Sequence, residues 1–515
     1  MAPLHLFPLF SLAMVAKAAI GPSATLTVGN AHLSPDGYSR LTTVVNGQFP
    51  GPLITGKMGD SFSLNVVDDL SDPALDTVTS IHWHGLFQHT TNHADGVAFV
   101  TQCPLIPKES FLHQFSVPGQ AGTFWYHSHY KTQYCDGLRG PLVIYDPYDP
   151  QAHLYDVDNE DTVITLADWY HYLSNQAPPG GQSPNTTLIN GHGRYAGGPL
   201  TDLAIVNVYA GKRYRFRLIS ISCDTYFTFS IDNHKFSVIE VDGTAHQPLL
   251  IDSLDILAAQ RYSLVMAADQ PVDNYWIRAA PSNIAPGFVN GTNSAILRYA
   301  GANASDPTST STLSQKLSEQ DLHPLTNAAA PGDPTPGGAD INIELDVTLA
   351  NFVFAINGVP YSSPEIPVLL QILNGAPAAS LMPNGSVYSL APNKTVEIVI
   401  PGGVSAGPHP IHLHGHVFSV VRSAGNSTYN YVNPPQRDVV SIGTLPTDRT
   451  TIRFTTDNPG PWFLHCHIDW HLNTGFAVVM AEDVPDVGNL DKPPADWRAL
   501  CPAYDQYANA TGISP

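Results

Sequence analysis

Apolar and polar residues alternate with a period of two along much of this chain. Ser61-Phe62-Ser63-Leu64-Asn65-Val66, Arg213-Tyr214-Arg215-Phe216-Arg217-Leu218 and Thr451-Ile452-Arg453-Phe454-Thr455 are examples. Successive side chains of a strand point to opposite faces, so each run has one apolar face and reads as a strand half-covered by a core. Gly, Pro, Asn and Asp punctuate the runs, and long segments with a 3.6-residue period are scarce. The pattern predicts an all-β protein built of sandwiches, with short helices in the connections. The stretch from Asn303 to Asp340, rich in Pro, Ser, Thr, Ala and Gly, reads as an interdomain connection.

The chain also repeats itself. Gly122-Thr-Phe-Trp-Tyr-His-Ser-His129 matches Gly460-Pro-Trp-Phe-Leu-His-Cys-His467 in spacing, and each is preceded by an earlier His-x-His, at His82/His84 and His412/His414. The first and last thirds therefore read as copies of one unit. The middle third carries a fainter echo: His234-Lys-Phe236 can be laid on His416-Val-Phe418, which places Ser230 opposite His412 and Asp232 opposite His414. On that register the middle copy keeps the strands and lacks the histidines.

Length and composition sharpen this picture. A chain of 515 residues exceeds one hydrophobic core. Charged residues make up 13%, below the ~25% of an average soluble protein, while Gly (40) and Pro (45) are frequent. The net charge of −21 provides no basic footprint for nucleic acid and disfavours anionic membranes. Residues 1–18 read as a secretion signal, with an apolar stretch from Leu4 to Val15 and a small-x-small site at Ala16-Lys17-Ala18, although a basic n-region is missing. Seven Asn-x-Ser/Thr sequons favour export as glycosylation candidates: Asn185, Asn290, Asn303, Asn384, Asn393, Asn426 and Asn509. No later segment reaches the ~18 apolar residues of a membrane span. The mature protein is expected to be secreted and monomeric.

The chemistry lies in the histidines. At 22 histidines in 515 residues, chance predicts roughly one His-x-His pair, whereas five occur: 82/84, 127/129, 412/414, 414/416 and 465/467. Residues i and i+2 of a strand share a face about 6–7 Å apart, so two imidazoles from one strand can reach one metal cluster. Four such pairs supply eight imidazoles, more than a single four-coordinate zinc site uses, which implies a polynuclear site. His416 reads as structural, and His89, His93 and His113 as ordinary. Cys466 lies between His465 and His467 and points to the opposite face of their strand, so a second site is expected there. With His409 and His471 it forms a His2Cys set, the blue-copper arrangement. Phe476 stands about where an axial methionine would be sought, and Met480 is a more distant competitor. Five cysteines leave one without a disulfide partner.

His82-Trp-His84-Gly, His127-Ser-His129, His409-Pro-Ile-His412-Leu-His414-Gly and His465-Cys-His467-Ile-Asp-Trp-His471 together resemble the four signature segments of the multicopper oxidases. Over essentially the whole mature chain the similarity is to basidiomycete laccases. The resemblance implies three consecutive cupredoxin-like Greek-key β-sandwiches, divided at residues 19–148, 149–318 and 319–515. It implies four copper ions: type 1 at His409, Cys466 and His471, with Phe476 in the axial direction; type 2 at His82 and His412; and paired type 3 ions at His84, His127, His129, His414, His465 and His467. Two disulfides follow from it, Cys103–Cys501 and Cys135–Cys223. Asp224 corresponds to a substrate-pocket carboxylate that accepts a phenol proton. Asp95 corresponds to an acid near the type 2 copper that helps deliver protons to reduced oxygen, although His93 and Val97 depart from the pattern, which has Trp and Pro at those two positions. The implied reaction is one-electron oxidation of phenols, with His471 and Cys466 as the first relay, coupled to reduction of O2 to water.

Two other readings compete. A ferroxidase on the same scaffold needs carboxylates beside the type 1 histidines, and Asp224 alone is a thin case. A copper-carrying electron-transfer protein needs only the blue site, against which the eight further histidines argue. Ascorbate oxidation is disfavoured by Phe476 in place of an axial methionine.

Overall fold

The computed structural model describes residues 19–178, 183–282, 287–310 and 312–514. The expected signal at 1–18 lies outside the described residues. Strands dominate, and the helices are short apart from Ala495–Thr511. The alternation acts as expected: in Ser61–Asp68 every second residue, from Phe62 to Asp68, is buried, and in Arg213–Ser220 the apolar Tyr214, Phe216 and Leu218 enter one core. Arg215 and Arg217 of that strand are also buried, because they face neighbouring chain and meet Asp149, Asp158 and Glu240 there.

Three cupredoxin-like sandwiches follow one another. The third pairs a sheet holding Thr395–Pro401, Arg449–Thr455 and Phe418–Arg422 with one holding Ala477–Glu482, Gly460–Cys466 and Pro410–Leu413. The second has the same order, with Arg213–Ser220, Arg261–Ala267 and Phe236–Val241 in one sheet and Ser294–Tyr299, Asn274–Pro281 and Phe227–Ile231 in the other. The middle-third echo in the sequence thus falls on equivalent strands. In the first, Ile81–His84 pairs with Gly122–Ser128 as Pro410–Leu413 pairs with Gly460–Cys466.

Two disulfides staple the chain, Cys103–Cys501 and Cys135–Cys223, with Cα–Cα distances of 5.0 and 5.5 Å. Both pairings agree with those implied by the resemblance. Cys466 is the remaining cysteine and is buried. Among the described residues, no helix is long and apolar enough to cross a membrane. Six of the seven sequon asparagines are exposed. Asn426 is half-buried and donates through its amide nitrogen to Gln320 (2.6 Å).

Candidate metal centre

The strand register brings the four histidine pairs together. His82 lies opposite His127, and His412 opposite His465. The first and third sandwiches face each other across these strand ends, with 4.0 Å between the ring centroids of His82 and His414 and 3.9 Å between those of His84 and His412. His129, His414 and His465 offer ligand atoms within 4.8 Å of one another. His84, His127 and His467 form a second triad, with ring centroids 5.0–5.8 Å apart. His82 and His412 stand between, 6.0 Å apart.

The hydrogen bonds hold these rings in one tautomer. Nδ1 donates to a backbone carbonyl in His82 (Asp95, 2.8 Å), His127 (Ser128, 2.8 Å), His412 (Asp438, 2.8 Å) and His465 (Cys466, 2.9 Å). His414 Nδ1 meets the Asp95 carboxylate at 3.0 Å, and His467 Nδ1 meets the Tyr134 hydroxyl at 3.2 Å. Each bond directs Nε2 into the shared space. There the Nε2 atoms of His82, His127, His129, His412 and His467 are buried without a protein partner, and His84 has neither ring nitrogen hydrogen-bonded. Buried polar atoms normally have partners. Unpartnered nitrogens on six clustered rings are therefore what a metal cluster requires, and the donor set fits copper. Burial, reinforced by neighbouring imidazoles, holds His84, His127, His129, His412, His414 and His467 well below the usual histidine pKa. Burial takes His465 down to about 3. Neutral rings are the ligating form.

On the other face of the Gly460–Cys466 strand, Cys466 Sγ lies 3.7 Å from His409 Nδ1 and 3.7 Å from His471 Nδ1, which are 3.1 Å apart. Metal–nitrogen and metal–sulfur distances of about 2.0 and 2.3 Å suit a triangle of this size. His409 is oriented by donating from Nε2 to the Ser405 carbonyl (3.1 Å). His471 rides on the short helix Asp469–Asn473, after which the chain turns back so that Cys466 N–H donates to the Phe476 carbonyl (3.1 Å). Phe476 is buried, with its ring centroid 5.2 Å from that of His409, and Phe354 stacks on it at 5.0 Å. Met480 is paired with Trp462, four residues along the strand from Cys466 and so about 13 Å away. Burial pushes the Cys466 thiol up, so the sulfur is a thiolate only with a cation beside it. Burial lowers His409 to about 4 and His471 to about 3. His471 is half-buried where the other ten clustered residues are buried.

Asp95 bridges the two sandwiches: its carbonyl accepts from His82 and its carboxylate meets His414. The turn that presents it needs Gly96, at φ +86°, because a Cβ there would lie 1.7 Å from the Ile81 carbonyl oxygen. Asp224 is half-buried in the turn after Cys223, its N–H donating to Asp168 (2.9 Å), and the Cys223 carbonyl accepts from Asp469 N–H at the start of the His471 helix (2.9 Å). His416 turns away from the cluster to Glu482 (3.1 Å). His93 is buried and pairs with Asp491, a role for which the sequence has no signal because its partner is 398 residues away. Tyr134 and Asp438, which support His467 and His412, were equally invisible: neither belongs to a motif, and their partners are distant in sequence.

Family models described as multicopper oxidase match residues 27–149, 160–302 and 361–486. A laccase of Phlebia radiata is 59% identical over 497 residues, covering 95% of each chain. A laccase of Pycnoporus cinnabarinus is 59% identical over 503 residues, covering 97% of each. Among solved structures, the laccase from Botrytis aclada superposes with a TM-score of 0.81 at 32% identity, covering 95% of this chain and 92% of that one. Fet3p, a multicopper oxidase that functions in iron import, superposes with a TM-score of 0.82 at 27% identity, covering 94% and 95%.

Proposed function

Because the chain belongs to the multicopper oxidase family and is a copper-dependent oxidoreductase of its laccase branch, we propose that the two constellations hold four copper ions between them. His409, Cys466 and His471 would hold the type 1 ion, with the Phe476 ring beside them. His82 and His412 hold the type 2 ion. His84, His127 and His467 hold one type 3 ion, and His129, His414 and His465 the other. Bound copper supplies one-electron redox chemistry at the first site and four-electron reduction of O2 to two waters at the second.

One observation carries this reading: Cys466 faces two imidazoles on one side of its strand, while its neighbours His465 and His467 face the cluster on the other. The backbone of a single strand thus joins the two sites covalently. A phenol docks at His471, the one half-buried residue of the two constellations. Asp224 accepts the phenolic proton as the electron leaves, which favours release of a neutral radical. Four phenols each lose one electron and one proton, and one O2 takes up all of them as two waters. Asp95, bonded to both halves of the cluster, is placed to pass protons inward. Phe476 offers no ligand atom, which raises the reduction potential relative to a thioether. The substrates are small phenols. The division at residues 19–148, 149–318 and 319–515, the cleaved signal at 1–18, secretion and a monomeric state belong to the same reading, supported by exposed sequons and two disulfides.

Oxygen uptake by the copper-loaded protein with 2,6-dimethoxyphenol tests the proposal, with peroxide assayed in parallel. One O2 consumed per four electrons, without peroxide, is expected. Absence of phenol-dependent uptake together with rapid uptake on Fe2+ would replace it with the ferroxidase reading.

A further inference from the structure

The second sandwich supplies none of the clustered histidines, yet one of its side chains reaches to within one residue of them. Arg261 lies at the start of the strand Arg261–Ala267 and is fully buried. Its Nη1 and Nη2 donate to the two carboxylate oxygens of Asp438, both at 2.6 Å. Its Nε donates to the carbonyl of Thr123 (3.0 Å), on the strand that carries His127. One guanidinium therefore ties together all three sandwiches.

Asp438 is placed to transmit this grip. Its carbonyl accepts the Nδ1–H of His412 (2.8 Å), and its Oδ1 lies 3.5 Å from His84 Nε2. The flanking residues are held by the second sandwich as well: Asp242 accepts from Arg437 Nε (3.0 Å) and from Val439 N–H (3.3 Å), and its other oxygen accepts from Arg261 N–H (2.8 Å). The space is full. Gly85, next to His84, is at φ +90°, and a Cβ there would lie 2.6 Å from Arg261 Nη2 and 2.9 Å from Asp438 Oδ2. A buried ion pair is a poor device for stability, because desolvation offsets most of its attraction. Its geometry is another matter. With both oxygens engaged by Arg261, the Asp438 carboxylate is fixed with Oδ1 3.5 Å from His84 Nε2 while its carbonyl holds His412 Nδ1, so the placement of both rings depends on it. His84 has neither ring nitrogen hydrogen-bonded, so no hydrogen bond of its own fixes the ring and the nearby carboxylate is its nearest polar support.

We propose that Arg261 is a positioning residue for the histidine cluster, acting through Asp438 to keep His84 and His412 available to metal. This rests on the copper assignment above. The test compares copper per chain, the blue absorption and the type 1 and type 2 electron paramagnetic resonance signals in the copper-loaded full chain, wild type against Arg261→Met, Arg261→Lys and Asp438→Asn. Arg261→Met is expected to keep the blue absorption and type 1 signal while losing the type 2 signal and most of the remaining copper. Arg261→Lys, which keeps the charge, restores part of both. Wild-type copper and type 2 signal in Arg261→Met would overturn the inference. So would equal loss of both signals, the mark of a general structural defect. Should Arg261→Met fail to fold, Asp438→Asn decides: it keeps the carbonyl and the volume, and selective loss of the type 2 signal is expected, with wild-type signals overturning the idea. A wild-type protein that is blue but holds no further copper would instead defeat the functional reading itself.

Discussion

The strand pair that carries the metal-facing residues of the third sandwich has a counterpart in the second. In the third, Ile411 lies opposite Cys466 and His412 opposite His465. In the second, Phe229 lies opposite Ala279 and Ser230 opposite Arg278. The next residue pair agrees as well: His414 N–H donates to the Phe463 carbonyl, and Asp232 N–H to the Trp276 carbonyl, each at 2.9 Å. So the imidazole contact between His414 and His465 (3.0 Å) is replaced by an ion pair between Asp232 and Arg278 (2.8 and 2.7 Å). The first sandwich holds Ser128 at the position of Cys466. The same backbone thus serves as a copper scaffold or as a plain structural strand. The alternation of apolar side chains keeps the sandwich folded in all three, and a handful of polar positions decides whether it does chemistry.

The largest blow to this comparison comes from Cys466→Ser, which makes the third strand like the first. Blue absorption and phenol oxidation are expected to vanish while the fold, read by circular dichroism, persists; retained colour would refute the assignment. Asp95→Asn comes next. It keeps the carbonyl that accepts from His82 but replaces the carboxylate at His414, so activity or cluster copper content should fall about 10–100-fold, as for other residues supporting metal ligands. Tyr134→Phe removes the hydroxyl that meets His467 and should cost about tenfold in the same assays, at the lower end of that range. Phe476→Met restores a weak sulfur ligand where only a ring now stands; the potential of the blue site, measured by redox titration, should fall. The smallest effect on catalysis belongs to the Asp232–Arg278 pair of the second sandwich. Asp232→Ala strands Arg278 and should lower stability by about 3 kcal/mol in urea unfolding while kcat stays unchanged. A large loss of kcat there would show that this strand pair does more than hold the sandwich together.

Much of the site was legible because metal chemistry leaves a local trace. His-x-His pairs sit on one face of one strand, and a cysteine between two histidines must face the other way. The repeat in spacing placed His82/His84 and His412/His414 on equivalent strands, and even the weak middle echo led to Ser230 and Asp232. What escaped notice lacked any such local trace. Asp438, Tyr134 and Asp168 are single polar residues whose partners lie 26 to 333 positions away. His93 looked ordinary and proved to be one half of a buried pair with Asp491.

The sequence by itself determined the strands, the repeated unit and which histidines and cysteine would cluster, since periodicity and residue chemistry are local properties. Tertiary structure decided which imidazoles stand together, which ring nitrogens the backbone carbonyls engage, and that a sandwich without clustered histidines reaches the cluster through Arg261. Those depend on distances between segments hundreds of residues apart, and such distances are set by the packing of whole sheets rather than by any pattern along the chain.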